Sequence, residues 1–313
     1  LTGLVEVVRR FVQPIRGFFR WIVHRRSAKD IARTNVTRLH LHLVSDSTGE
    51  TLESLVKAGL AQFEAVDAVK HYWPMVRSEG HLDRVLDEVE RSPGLVLYTL
   101  VARSVRERLE LRCAALGLPV IPVMDPVIAG LERMLGTRAA SRPGGQHRMD
   151  AAYFGRIEAI NWTIEHDDGL LPQEWEQGDL VLAGVSRSSK TPTSLYLANR
   201  GYRVANIPIV PGRPLPPELF ELKRPLVVGL SVSADRLEQV RRARILGADV
   251  AGISAAYADP DGIKAELNAA RRLFADRGWP VIDVTRRSIE ETAAELMNML
   301  SLREETRHEK GAA

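Results

Sequence analysis

The residues from Leu180 to Pro192, Leu-Val-Leu-Ala-Gly-Val-Ser-Arg-Ser-Ser-Lys-Thr-Pro, constrain the fold of this chain more than any others. An apolar run ends in Gly184, five residues follow, and Lys190 and Thr191 lead into a helical pattern. Pro192 suits the first turn of that helix, where its missing N–H is not needed. A buried strand that turns through a short loop into a helix is the joint of a parallel α/β sheet. At such a joint backbone N–H groups converge on one spot and bind an anion. The spacing approaches the pattern G-x-x-x-x-G-K-[ST]. Ser189 stands where that pattern has its second glycine, which matters if the position needs a positive φ. The candidate phosphate ligands are Gly184, Val185, Ser186, Arg187, Ser188, Ser189, Lys190 and Thr191. Lys190 adds a mobile positive charge, and the Thr191 hydroxyl can ligate Mg²⁺ beside the phosphates. Arg187 either touches a phosphate or is solvated. The plain alternative is a strand–loop–helix joint that happens to contain Lys-Thr.

The same alternation runs along the chain. Residues 38–45 read as a strand, ending in the turn cluster Asp46-Ser47-Thr48-Gly49-Glu50, which starts a helix over residues 50–63. Strands are expected at 69–76, 95–101 and 119–123, with helices over 79–91 and 103–116. Residues 137–149 have the composition of a linker, Ser-Arg-Pro-Gly-Gly-Gln at its centre. Beyond it come a helix over 150–166, strands at 179–184, 203–207, 226–230 and 281–284, and helices from 190 to about 200 and over 235–246, 260–277 and 288–300. The reading is an N-terminal parallel α/β domain over 36–145, then a P-loop kinase-like α/β domain over 146–302, with a polar tail at 303–313 that frays.

Charge narrows the partners. The net charge is +3, but residues 1–30 hold seven basic side chains and two acidic ones. The remainder is therefore net acidic, which disfavours nucleic acid. This basic leader, residues 1–35, spaces its apolar residues as a helix does, with Pro14 inside. It is too short and too charged to span a bilayer. It reads as a membrane-surface helix, a partner-docking helix, or a segment that is not native. The first residue is Leu, which a misassigned or variant start codon would explain. Membrane contact through residues 1–30 is the weaker expectation. The single cysteine, Cys113, excludes an internal disulfide and reads as a small buried hydrophobe. A chain so poor in cysteine suits the cytoplasm.

Acidic partners for the loop are Asp46 at the end of the first strand, the pair Asp167–Asp168 just before the loop strand, and Asp283 at the end of the last. Each also has a structural account as a turn or strand-end residue. His40 and His42 share one strand face, but no third ligand stands at metal spacing, so a zinc site is not expected.

Four blocks carry a resemblance. Leu41-His42-Leu43-Val44-Ser45-Asp46-Ser47-Thr48-Gly49-Glu50-Thr51 resembles the N-terminal signature of the bacterial regulatory proteins of pyruvate, phosphate dikinase and of phosphoenolpyruvate synthase. Arg156-Ile157-Glu158-Ala159-Ile160 with His166-Asp167-Asp168-Gly169 resembles a second block. The stretch from Gly184 through Pro192 to Gly201-Tyr202 resembles a third, and residues 283–292 the last. The resemblance implies a bifunctional phosphotransferase. Such an enzyme phosphorylates a threonine of the dikinase with ADP as donor, and removes the group with inorganic phosphate, releasing pyrophosphate. It also implies that residues 184–191 bind the nucleotide, with Ser189 an expected residue there. Ser188-Ser189 resembles the dikinase branch, since the synthase branch tends to carry Cys-Gly. With this family in view, Asp46 and then Asp168 are the expected proton acceptors, Lys190 and Mg²⁺ neutralise the transferred phosphoryl group, and a homo-oligomer in the cytoplasm is expected. The competing expectations are an ATP-dependent small-molecule kinase and a non-catalytic nucleotide sensor or membrane-docked adaptor.

Overall fold

The structure is a computed structural model and describes residues 37–145, 149–247 and 255–311. The expected leader lies outside the described residues. The chain divides into two compact units, one ending at Arg148 and one beginning at Met149.

In the first unit, strands β1 (Thr37–Ser45), β2 (Val66–Trp73), β3 (Leu95–Thr99) and β4 (Val120–Pro122) form a parallel sheet in the order β2-β1-β3-β4. Helices α1 (Glu50–Leu60), α2 (Glu79–Arg91), α3 (Arg103–Ala115) and α4 (Asp125–Leu135) follow the strands in turn. Strand alternation sorts the core into two layers. Leu41, Leu43 and Leu97 pack with Leu52 and Val56 of α1. On the other face Val44, Val96 and Tyr98 pack with Leu82, Val85 and Val89 of α2 and with Val105, Leu109 and Cys113 of α3. Burial pushes the Cys113 thiol up to about 11, so it is an inert packing group. Gly94, just before β3, allows the chain to pass β1 closely, since a Cβ there would lie 2.0 Å from the His40 carbonyl oxygen.

The second unit repeats that topology. Strands β5 (Leu180–Gly184), β6 (Val204–Pro208), β7 (Leu226–Ser231) and β8 (Val281–Asp283) are parallel in the order β6-β5-β7-β8. Its helices are α5 (Ala151–Glu165), α6 (Lys190–Ala198), α7 (Glu218–Glu221), α8 (Ala234–Gly247), α9 (Pro260–Arg277) and α10 (Ile289–Gly311). Every residue of β5 is buried, as befits a central strand covered on both faces. Leu180, Leu182, Val228 and Phe274 belong to its single large core. The chain is thus α/β throughout, and among the described residues no helix is long and apolar enough to cross a membrane.

Several elements depart from the sequence reading, among them the one-turn helix α7, which was not expected. Strand β2 starts and ends three residues early, because residues 66–68 pair with β1 and Pro74 has no N–H to continue the ladder. Helix α4 was not expected. It buries no residue, so no contrast between core and surface marks it, although Gly136 closes it in the left-handed conformation. The polar tail is helical rather than frayed. Helix α10 continues to Gly311, and Arg303 and Arg307 both donate to the Lys223 carbonyl.

Candidate phosphate-binding site

In an open parallel sheet, ligands bind at the carboxyl ends of the strands, where consecutive connections leave in opposite directions. In the second unit that point lies between β5 and β7, and the loop after β5 occupies it. The loop is residues 185–189. Gly184 must lack a side chain, since a Cβ would sit 2.7 Å from Ser188 Oγ and 2.8 Å from the Leu230 carbonyl oxygen.

The loop is organised around one carbonyl. The Val185 oxygen accepts from Ser188 N at 3.3 Å, Ser188 Oγ at 2.9 Å and Lys190 Nζ at 3.0 Å. Ser188 and Lys190 are buried, whereas Arg187 and Ser189 are exposed. Arg187 and Ser189 both have left-handed backbones, with φ of 73° and 62°. The missing glycine of the generic pattern thus does fall on a glycine-type conformation, which Ser189 adopts at a cost of roughly 1 kcal/mol. Ser189 makes no side-chain cap at the start of α6, so its hydroxyl leaves the N–H groups of that helix end unclaimed.

Lys190 carries the electrostatics. Burial draws its ammonium down to about 8, against the opposing fields of Asp168 and Asp167. Thr191 Oγ1 donates to Asp167 Oδ1 at 2.9 Å. Asn206, fully buried on β6, donates from Nδ2 to the same carboxylate oxygen and accepts from Asp168 N at 3.3 Å. Asp168 is exposed and left-handed, with φ 52°. Asp167, Asp168, Lys190, Thr191 and the loop therefore share one strand edge.

The remaining acidic candidates lie elsewhere. Asp283 ends β8, two strands from β5, and accepts from the amide and hydroxyl of Thr285, which hold its carboxyl below the usual range. Asp46 belongs to the first unit, where it spans that unit's own switch point. Its Oδ2 accepts from Val101 N beyond β3 at 2.8 Å, and burial raises its carboxyl above the usual range. His40 and His42 meet His71, with ring centroids 5.2 and 4.4 Å from it. Trp73 Nε1 donates to His42 Nδ1, so His42 Nε2 carries the hydrogen that bonds the Ser92 carbonyl. Both nitrogens of His42 are used, which leaves it no lone pair for a metal. Burial, then the neighbouring imidazoles, lowers the affinity of His42 for a proton, and His71 is lowered too. The unfolded chain binds these protons more readily, so stability is present above the ordinary histidine range and lost as pH falls through it. Lowering the pH from about 7.5 to 5.5 is expected to reduce Tm, and His71→Gln to make the decline shallower; a Tm unaffected by pH would remove this account.

Sequence reasoning missed Asn206 and Arg241. Asn206 lies in an apolar strand, and Arg241 in a helix of mixed charge, where it is 1% exposed. Arg241 Nη2 donates to the Ser186 carbonyl at 3.3 Å. Only tertiary packing reveals either residue.

The kinase/pyrophosphorylase family profile matches residues 41–297. A protein of Rhizorhabdus wittichii that carries the name of a pyruvate, phosphate dikinase regulatory protein is 60% identical over 266 residues, covering 85% of this chain and 97% of its own. Similarly named proteins are 61% identical in Novosphingobium aromaticivorans, over 85% of this chain and 95% of theirs, and 51% identical in Caulobacter vibrioides, over 85% and 84%. The matched span takes in both sheets and the whole loop edge, and the chain therefore belongs to the kinase/pyrophosphorylase family, alongside the pyruvate, phosphate dikinase regulatory proteins.

Proposed function

We propose that this chain regulates pyruvate, phosphate dikinase by reversible phosphorylation of a threonine, with ADP as donor and inorganic phosphate as acceptor. The observation that carries the reading is the buried Lys190 ammonium. It sits on a loop carbonyl, with no carboxylate bonded to it among the described residues, at the mouth of a helix that its N-cap side chain leaves uncapped. A charge so placed can exchange its carbonyl bond for an oxygen of a diphosphate.

In the forward direction the threonine oxygen attacks the β-phosphorus of ADP. The bond to the bridging oxygen breaks and AMP leaves. Lys190 and the loop amides hold the negative charge on the transferred group. In the return direction an oxygen of inorganic phosphate attacks the phosphothreonine, pyrophosphate forms, and the threonine oxygen recovers its proton. Both transfers use one anion pocket. The oxygen donors Asp167 and Thr191, already bonded to each other, fit Mg²⁺, which is held by one or two carboxylates together with substrate phosphates. When bound, the ion would screen charge between the phosphoryl oxygens. Asp168, exposed beside the loop, and Asp46 are the two carboxylates proposed to take the threonine proton. The reading places the protein in the cytoplasm with its target.

The test is incubation of purified chain and dikinase with ADP labelled in its β-phosphate, then with unlabelled phosphate. Label should enter a dikinase threonine and later leave as pyrophosphate. ATP with metabolites alone should give no transfer, and phosphoenolpyruvate synthase should be a poorer acceptor than dikinase. Labelling of the synthase only, or ATP-dependent labelling of a small molecule, would replace this function with another.

A further inference from the structure

The loop conformation is one that its own residues disfavour. Ser188 N bonds Val185 O across a four-residue turn whose second and third residues are Ser186 and Arg187. The third residue has φ 73°, which is the mark of a turn that prefers glycine there. The common turn, without positive φ, differs from this one by a flip of the central peptide, which is the Ser186 carbonyl and the Arg187 N–H. Because the peptide is planar and trans, those two groups point to opposite sides. Whichever way the carbonyl is held decides where the N–H is aimed. A flipped peptide would present an oxygen where an anion needs a donor.

The carbonyl is held by a group from outside the loop. Arg241 Nη2 donates to Ser186 O at 3.3 Å, while the guanidinium also bonds Glu266 through Nη1 at 3.2 Å and Nη2 at 2.6 Å and the Tyr257 carbonyl at 3.0 Å. Its Cζ lies 4.5 Å from the centre of the Tyr257 ring. The Tyr257 hydroxyl in turn meets Ser186 Oγ at 2.9 Å. Both polar ends of Ser186 are thus tied to one cluster. The Arg241 Nε–H is buried and has no partner among the described residues. A buried ion pair with a donor left over is a poor device for stability alone.

We propose that Arg241 and Tyr257 are positioning residues for the anion site: they hold the Ser186–Arg187 peptide in its disfavoured orientation, so that the Arg187 N–H stays available to a phosphate. The inference rests on the nucleotide reading of the loop above and deepens it. Glu266 orients Arg241 and makes no claim on the ligand itself.

The test is a cycle of variants read by calorimetric titration with ADP and with inorganic phosphate. The full chain is titrated first; absence of binding would sink the nucleotide reading and this proposal together. Given wild-type binding, Arg241→Lys should raise Kd for ADP about tenfold or more, and Tyr257→Phe about threefold or more. The deciding arm is Arg187→Gly, which removes the penalty on positive φ. In that background Arg241→Lys should cost less than about threefold, because the turn no longer needs the clamp. An unchanged Kd in Arg241→Lys and in Tyr257→Phe overturns the clamp while leaving the loop's function standing. An undiminished Arg241→Lys penalty in the glycine background also overturns it, since a purely structural loss is not rescued by a glycine in the turn. If Arg241→Lys does not fold, Tyr257→Phe with and without Arg187→Gly decides by the same criteria.

Discussion

Replacing Lys190 by Ala is expected to weaken ADP binding by about a hundredfold and to lower both transfer activities by about two to three orders of magnitude, with the fold intact. The ammonium is buried and donates to the Val185 carbonyl at 3.0 Å, and the fields of Asp168 and Asp167 favour its charge without offsetting burial. Its pKa near 8, against an ordinary lysine value of 10.5, means that holding it charged at neutral pH costs the fold roughly 3 kcal/mol. Removing it relieves that cost and offsets the packing lost with the side chain, so the variant should melt within a few degrees of wild type. The sign gives a second readout. The unfolded chain binds the Lys190 proton more readily than the folded one, so wild-type stability should rise with pH between about 8 and 10.5, and Lys190→Ala should lack that rise. ADP affinity should run the other way. The diphosphate needs the charged form, so Kd should increase as pH climbs above about 8 in the wild type and stay flat in the variant. Calorimetric titration from neutral to alkaline pH checks both trends. Full ADP affinity in Lys190→Ala would remove the lysine from the site.

What the sequence reveals of this site, and what it hides, follows from the range of the interactions. The strand–loop–helix joint is local. Gly184, Lys190 and Thr191 stand within eight positions of sequence and bound the same turn, so spacing alone marks them. Even the conformational demand at Ser189 is legible, because it concerns one residue's own φ. The support of the loop is not local. Asn206 reaches Asp167 across 39 positions, and Arg241 reaches Ser186 across 55. No periodicity in either segment distinguishes those side chains from their neighbours. Arg241 lies in a helix rich in arginine, where a charged residue normally signals a solvated face. The fold divides in the same way. Central strands such as β5, buried on both sides, stand out as apolar runs. The edge strand β2, half exposed, is displaced in the reading, and α4, which buries nothing, escapes it. Hydrophobic patterning registers burial, and elements without burial leave only their caps as a trace.

Asp168→Asn is expected to abolish most kinase turnover, by about two to four orders of magnitude, while ADP still binds. The proton of the target threonine must go to a base, and that base must reach the face where the phosphoryl group is transferred. Asp167 is unsuited, because its Oδ1 is already engaged by Thr191 and Asn206, which fit it for holding a cation. Asp168 is its immediate neighbour, exposed, with its backbone amide fixed by Asn206 Oδ1 and its charge felt by Lys190. The left-handed φ of 52° turns the chain sharply between the two carboxylates, which allows adjacent residues to take different tasks. Asp46 is the competitor. Its Oδ2 accepts from the Val101 amide between the ends of β1 and β3, a bond that Ala would lose, so Asp46→Ala should lower the stability of the first unit, whereas Asp46→Asn keeps an acceptor there and sheds a charge that burial penalises. Kinetics separate the two. If Asp168 is the base, Asp168→Asn loses turnover with Kd for ADP unchanged and Tm within a few degrees, and Asp46→Asn keeps both its stability and its turnover. If Asp46→Asn stays folded, binds ADP and transfers nothing, while Asp168→Asn remains active, Asp168 is not the base and the assignment passes to Asp46.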